Sequence, residues 1–154
     1  TIPFRIGKPE DRQKPVNCEE ISIEGLRALV VEDNELNRDI AKFMLEAHEI
    51  CVDCVMDGLE AVARFEESEP GYYDVILMDI MMPNLNGWDA TRRIRSMKRS
   101  DAANVPIIAM SANSFAEDII NSRISGMNRH LAKPMDEKKL LDAVKECIMF
   151  RDHA

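Results

Sequence analysis

Short apolar runs alternate with stretches of helical periodicity along most of the chain. The run at 26–31 is broken only by Arg27 and predicts a strand. The next segment predicts a helix because apolar residues recur in it at helical spacing: Leu36, Ile40, Phe43, Met44 and Ala47. The alternation then predicts strands at 50–55, 74–78, 105–110 and 129–132, and helices between Gly58 and Pro70 and at 88–98, 116–125 and 136–149.

Five strand–helix repeats predict an α/β fold in which a parallel sheet carries helices on both faces, making three layers. The strand at 74–78 has four successive apolar residues after Asp74, which is typical of a strand covered on both sides. We therefore place it near the centre of the sheet. The second strand ends without a polar cluster, which suits an edge position and the strand order 2-1-3-4-5.

Length and charge indicate the domain organisation and the kind of partner. The 154 residues suffice for one domain, predicted at 26–150 after a proline-rich linker at 1–25 and before a short tail at 151–154. The chain begins at Thr1 and not at Met, so we interpret it as a processed product or a piece of a longer protein. The net charge of −8 argues against binding to nucleic acid, and the sequence has no apolar run long enough to cross a membrane.

Four cysteines are scattered along the chain, and only Cys51 and Cys54 have the spacing of a metal or redox site. Both fall in the second predicted strand, where residues three apart point to opposite faces. We therefore interpret the cysteines as small buried thiols in a reducing compartment.

Polar side chains follow four of the five predicted strands, at the edge where parallel strands present their carboxyl ends. Glu32 and Asp33 follow the first strand, Asp79 the third, Ser111 the fourth and Lys133 the fifth. Each residue alone has an ordinary role in a helix cap, a turn or a solvated surface. Together, three carboxylates repel one another unless a cation compensates, and Mg²⁺ and an ammonium both do so. A carboxylate beside such an ion can attack phosphorus, and Asp79 is the best placed.

Four segments at these strand ends resemble those of response-regulator receiver domains. They are Val30–Asn34, Met78–Pro83 with Gly87 four residues on, Ile108–Ala112 and His130–Pro134. Each segment is weak evidence by itself, but all four in this order are highly specific. The resemblance covers about residues 26–150 and implies a flavodoxin-like (βα)5 three-layer sandwich around a parallel five-stranded sheet of order 2-1-3-4-5.

The resemblance also implies a role for each site residue. Asp79 would be the phosphoacceptor. Mg²⁺, with Mn²⁺ as the alternative ion, would be held by Glu32, Asp33, Asp79 and the backbone carbonyl of Met81. Ser111 and Lys133 would contact the phosphoryl oxygens, and the Lys133–Pro134 peptide bond would be cis.

Further resemblances concern the parent protein and its partners. Segments 31–37 and 90–95 resemble receivers attached to hybrid sensor histidine kinases, and segment 1–6 resembles the last strand of a kinase ATP-binding domain. The implied phosphoryl donor is the dimerisation domain of a histidine kinase, and the implied recipient is a histidine phosphotransfer protein. Neither nucleic acid nor direct membrane contact is expected. The domain would be cytoplasmic, in a parent anchored in the inner or plasma membrane of a bacterium.

Two positions depart from the usual receiver pattern. His130 stands where many members have Tyr or Phe, and we expect it to act with Ser111 as a switch. A protonated ring would enter the space vacated by Ser111 reluctantly, so the switch would depend on pH near neutrality. Met81 cannot orient an attacking water, which predicts slow self-hydrolysis of the phosphorylated protein.

Three rival functions share parts of this pattern. A phosphatase of the haloacid dehalogenase type needs a second acid where this chain has Met81. A flavodoxin-like nucleotide or flavin binder needs a phosphate cradle rich in Gly, Ser or Thr, but here the first strand is followed by Glu32–Glu35. A pseudo-receiver that serves only as an interaction module is disfavoured because Asp33, Asp79 and Lys133 are all present.

Overall fold

The computed structural model describes residues 25–82, 84–112, 116–133 and 136–152. Five strands alternate with five helices in this part of the chain, and every predicted element is found. They are β1 (Arg27–Val31), α1 (Glu35–Glu46), β2 (Cys51–Val55), α2 (Gly58–Glu67), β3 (Val75–Asp79), α3 (Gly87–Arg95), β4 (Ile107–Ser111), α4 (Ala116–Ser125), β5 (Arg129–Ala132) and α5 (Glu137–Asp152).

The strands form one parallel sheet of order β2-β1-β3-β4-β5, which confirms the predicted topology. Alternate strand residues point to opposite faces and feed two apolar clusters. One cluster lies under α1 and α5, and the other lies under α2 and α3. The central position of β3 follows from its composition, since all five of its residues are buried.

A polar side chain caps the first turn of each of the helices α1, α2 and α3. The side-chain oxygens of Asn34, Asp57 and Asn86 each accept a hydrogen bond from the backbone N–H three residues on. Such caps satisfy N–H groups that have no partner within the helix. The caps thereby fix where these three helices begin, beyond the carboxyl ends of the strands.

Two arginines stabilise the end of the sheet that lies opposite the carboxyl ends of the strands. The Arg95 guanidinium donates to the carbonyls of Gly126 and Val105, and the Arg99 guanidinium donates to the carbonyl of Phe65 at 2.6 Å. These carbonyls lie in loops or at helix ends where backbone partners are missing. Burial lowers the pKa of Arg95 below its ordinary value, yet the group remains a cation.

Of the apolar residues that revealed α1, only Met44 packs against the core. Ala41 and Leu45 are buried against the sheet, whereas the side chains of Leu36 and Phe43 are 68% and 75% exposed. Helical spacing shows that a segment is a helix, but here three of the periodic residues, Leu36, Ile40 and Phe43, form an outer stripe. On the face of α1 that packs against the sheet, the small side chain of Ala41 allows a close approach.

The prediction that the cysteines are buried is wrong for one of them. Cys147 is buried in α5, but Cys51 is exposed and Cys54 is half-buried. The reason is that β2 is an edge strand, with a neighbour on one side only. Cys18 lies outside the described residues.

The predicted linker and its strand at 1–6 also lie outside the described residues, apart from Gly25. At the other end, α5 continues to Asp152, two residues into the predicted tail. None of the helices in the described ranges has the length and apolar character required to span a membrane.

Candidate active site

A cavity of about 480 Å³ opens at the carboxyl edge of the sheet and collects the residues expected there. Six of its lining residues come from the sequence prediction: Glu32, Asp33, Asp79, Met81, Ser111 and Lys133. They come from four different strand ends, as a parallel sheet requires. The cavity also has polar lining residues that the sequence did not indicate, Asn37 of α1 and Asp118 of α4.

Three carboxylates meet in this cavity. One oxygen from each of Glu32, Asp33 and Asp79 lies within 4.8 Å of the others. Glu32 and Asp79 are only 2% and 3% exposed, whereas Asp33 is exposed at the mouth. Mg²⁺ prefers a few carboxylate oxygens and retains several waters, so two enclosed carboxylates and one at the solvent side suit it.

A lysine ammonium partly compensates the carboxylates. Lys133 Nζ lies 2.7 Å from Glu32 Oε1 and 3.1 Å from Asp79 Oδ2. Burial alone would lower the pKa of Lys133, but the hydrogen bonds and charges of Glu32 and Asp79 outweigh burial and raise it. The Lys133 backbone N–H also donates to the Ser111 carbonyl at 2.8 Å, which fixes the start of the loop after β5.

The Asp79 carboxyl has an unusual affinity for its proton. Burial and the charge of Glu32 together exceed the effect of Lys133 and raise the pKa of Asp79 to about 7. A bound divalent cation acts in the opposite direction, because it favours the ionised form of a carboxyl group. The charge state of Asp79 at neutral pH is therefore set by what occupies the cavity.

The backbone around Asp79 is closely packed, and a glycine makes this possible. A Cβ atom at Gly87 would lie 2.3 Å from the Asp79 carbonyl oxygen. The Gly87 N–H donates to the carbonyl of Ile80 at 2.9 Å, and the Met81 N–H approaches Asp79 Oδ1 at 3.3 Å. The start of α3 thus lies directly against the strand end that carries Asp79.

The two residues predicted to form a switch lie on adjacent strands but in different cavities. Ser111 is buried at the end of β4 and lines the acidic cavity. His130 pairs with Ala109 in the register of β4 and β5 and lines a separate crevice of about 80 Å³ beside α4. Its Nε2 atom is buried and has no hydrogen-bond partner among the described residues.

Sequence reasoning missed Asn37 and Asp118 for different reasons. Asn37 lies one turn into α1 and carried no signal. Asp118 is an acidic residue in the first turn of α4, where such residues are common because they interact well with helix N–H groups. The predicted cis bond involves Pro134, which is outside the described residues, and stays a prediction.

Comparison with known proteins identifies the family. Residues 28–145 match the model of the response regulator receiver domain. The chain is 34% identical over 137 residues to probable histidine kinase 2 of Oryza sativa subsp. indica, and 32% identical over 155 residues to the autoinducer 2 sensor kinase/phosphatase LuxQ of Vibrio vulnificus. These matches cover 82% and 99% of this chain but only 13% and 17% of those relatives.

Solved structures agree with the sequence matches. The receiver domain of the sensor histidine kinase PA1611 from Pseudomonas aeruginosa is 38% identical and superimposes with a TM-score of 0.73 over 81% of this chain and 98% of that one. That structure holds a magnesium ion in its active-site cleft. The receiver domain of the Francisella response regulator 1452 is 28% identical, with a TM-score of 0.72 over 82% of this chain and 98% of that one. The chain belongs to the response regulator receiver family of two-component signalling and is homologous to the receiver domains of hybrid histidine kinases.

Proposed function

We propose that Asp79 accepts a phosphoryl group from a phosphohistidine and passes it on to a second histidine. The arrangement of Asp79 carries this proposal. Its carboxylate is buried in the cavity beside the oxygens of Glu32 and Asp33, and it lies 3.1 Å from the Lys133 ammonium. The family supplies the general reaction, and this geometry points to the residue that performs it.

The proposed step is a displacement at phosphorus. An Asp79 carboxylate oxygen attacks the phosphorus atom while the P–N bond to the donor imidazole breaks, and the leaving imidazole takes up a proton. The product is an acyl phosphate on Asp79. Mg²⁺, held by Glu32, Asp33, Asp79 and the Met81 carbonyl, would neutralise the phosphoryl oxygens that otherwise repel a carboxylate. We propose that Mn²⁺ supports the same reaction.

Two further side chains would bind the phosphoryl group after transfer. The Lys133 ammonium already lies between Glu32 and Asp79, so it can donate to a phosphoryl oxygen with little movement. The buried Ser111 hydroxyl lines the same cavity and can donate a second hydrogen bond. We propose that Ser111 and His130 form the switch that responds to this charge.

Leu36, Ile40 and Phe43 form an exposed apolar stripe on the outer face of α1. This stripe favours a partner protein that docks through a helix. Asn34 and Asn37 line the cavity, so the stripe begins at the cavity rim. A histidine that reaches Asp79 must belong to a protein that covers this rim. We propose that this surface receives the histidine-bearing dimerisation domain of a kinase and, later, a histidine phosphotransfer protein. We further propose that residues 1–25 link the domain to the catalytic part of a membrane-anchored hybrid kinase.

Labelling by a small phosphoryl donor tests the acceptor. The protein is incubated with Mg²⁺ and acetyl phosphate, and intact mass should show one added phosphoryl group. Asp79→Asn should abolish the addition, whereas Asp39→Asn, an exposed carboxylate of α1, should leave it unchanged. Labelling that persists in Asp79→Asn would assign the acceptor elsewhere, and absence of labelling in the unaltered protein would favour an interaction module.

Transfer from a protein donor tests the docking surface separately. Phe43→Ser should slow transfer from the phosphorylated dimerisation domain of a histidine kinase by about tenfold, which is about 1.4 kcal/mol of lost contact. Labelling by acetyl phosphate should be unaffected. Ile120→Ser removes an exposed isoleucine from α4 and serves as the matched control. Equal slowing by both substitutions would argue against the α1 surface.

A further inference from the structure

Helix α4 borders both the acidic cavity, through Asp118, and the crevice that contains His130. Its side chain lines the acidic cavity from the first turn of α4. Ser122 lies four residues later on the same helix face and lines the crevice with His130. Ser122 also accepts a hydrogen bond from the Trp88 indole at 2.9 Å, which ties this face of α4 to α3. One helix face therefore borders both the cavity and the crevice.

His130 is a basic group that lacks a partner. Its Nε2 atom is buried, and no described residue accepts or donates a hydrogen bond there. Burial lowers the pKa of His130, while the negative charge of Asp118 acts in the opposite direction. The His130 ring thus borders the crevice, and the Asp118 carboxylate lies one helical turn along α4 from Ser122 of that crevice.

Among the residues that the structure describes, the other charged groups lining the crevice are arginines, which do not pair with a protonated ring. Arg123 of α4 lines the crevice but is itself a cation. Arg129 of β5 lines it too, and its guanidinium pairs with Glu146 of α5 at 2.9 Å. The β4 residue opposite the ring is Ala109, which carries no charge.

We propose that Asp118 is a positioning carboxylate, which moves from the acidic cavity towards His130 when Asp79 is phosphorylated and forms an ion pair with the protonated ring. The proposal rests on the proposed acceptor role of Asp79. Phosphorylation replaces the single negative charge of the Asp79 carboxylate with about 1.5 to 2 negative charges on the acyl phosphate at neutral pH, and the added charge repels a carboxylate in the same cavity. The protonated Nε2 donates a charge-assisted hydrogen bond, which satisfies the atom that is now without a partner.

The proposal fixes the direction of pH dependence. Phosphorylation raises the pKa of His130, so the phosphorylated form binds more protons and is favoured as the pH falls through that pKa. This is the reverse of the sign expected from the sequence, where protonation opposes the switch. From the sequence we expected only that a charged ring would enter the space beside Ser111 reluctantly. A contribution from Asp118 could not be expected, because its position relative to the ring depends on the packing of α4.

NMR titration of the His130 Cε1–H signal tests the proposal, with the signal assigned by its loss in His130→Gln. The probe is Mg²⁺ with beryllium fluoride, a phosphoryl mimic that binds carboxylates. The midpoint should rise by about 1 pH unit, the scale set by a neighbouring opposite charge. Glu117→Gln removes the same charge one residue away and should keep the full rise, whereas Asp118→Asn should lose most of it.

The outcomes separate this proposal from the acceptor role of Asp79. Amide shifts around Asp79 with an unchanged His130 midpoint would overturn the role of Asp118 alone. An equal rise in Asp118→Asn and in the unaltered protein would also overturn it, because the phosphoryl mimic would then act on the ring directly. If the mimic shifts no amide near Asp79, the acceptor role falls and the role of Asp118 falls with it.

Discussion

Strands β3 and β5 both end at the acidic cavity, but they differ in how firmly the sheet holds them. β3 is buried at all five positions and is paired with β1 on one side and β4 on the other. β5 is an edge strand with three half-buried residues and one exposed residue. The proposed acceptor Asp79 belongs to the enclosed strand, whereas His130 belongs to the edge strand and Lys133 follows it directly.

The difference matches the two tasks of a receiver. A carboxylate that attacks phosphorus must be held in position, and burial on both faces of β3 does this. A group that responds to a new charge must be able to move, and edge elements with fewer buried contacts move at lower free energy. The cavity therefore joins a rigid reacting side to a more adaptable sensing side.

The rigid side is tested by adding one carbon atom at Gly87. The Cβ atom of Gly87→Ala would lie 2.3 Å from the Asp79 carbonyl, so we expect a loss of about 2–3 kcal/mol in the free energy of unfolding. Urea denaturation measures the loss. The displaced strand end should also slow labelling of Asp79 by acetyl phosphate.

Gly58→Ala is a matched control for this prediction. Its Cβ atom would lie 2.3 Å from the Leu85 carbonyl, so the clash is similar but does not involve the backbone of Asp79. We expect a similar loss of stability with a normal labelling rate for the folded protein. If both variants label equally slowly, slow labelling does not depend on displacement of the Asp79 backbone, and the prediction for Gly87→Ala is wrong.

The burial of Asp79 should also be visible in the pH dependence of stability. The pKa of Asp79 is raised to about 7 from an ordinary value of 3.8, so the folded protein holds this proton more tightly than the unfolded chain. Its stabilising contribution is complete at low pH and is lost as the pH rises through 7. In the absence of divalent ions, Asp79→Asn should therefore gain about 2 kcal/mol relative to the unaltered protein between pH 5 and pH 8.5.

Urea denaturation at a series of pH values without divalent ions measures this gain, and added Mg²⁺ should reduce it. Asp39→Asn removes an exposed carboxylate and should follow the unaltered protein at every pH. A flat difference between Asp79→Asn and the unaltered protein would mean that Lys133 balances both the burial of Asp79 and the charge of Glu32.

The sheet and most of the cavity were predictable from the sequence because the topology leaves little freedom. The apolar run before Asp79 indicates a central strand, and parallel strands place Glu32, Asp79 and Lys133 at one edge. Each step needs only the pattern along the chain. The positions of these three residues in one cavity follow from the order of the strands.

The remaining features depend on how the helices pack, which periodicity does not determine. The apolar stripe of α1 predicted a helix, but not that Leu36 and Phe43 face outward. Asp118 enters the cavity because of the position of α4 against the sheet, and no local pattern carries that information. For the same reason the sequence did not indicate that the His130 ring lies in a crevice separate from the cavity of Ser111.

The smallest predicted effect concerns Met81, which follows the rigid strand and whose side chain is 71% exposed beside Asp79. Its thioether is a weak hydrogen-bond acceptor and does not orient water, so the acyl phosphate should hydrolyse slowly. Met81→Asn places an amide at this point and should shorten the phosphoryl half-life by a few fold, which is about 1 kcal/mol in the barrier. Loss of the phosphoryl group is followed by intact mass after removal of acetyl phosphate. Met56→Asn alters another exposed methionine outside the cavity and should keep the original half-life. Equal half-lives in both variants would show that access of water to the acyl phosphate, and not the orientation of that water, limits hydrolysis.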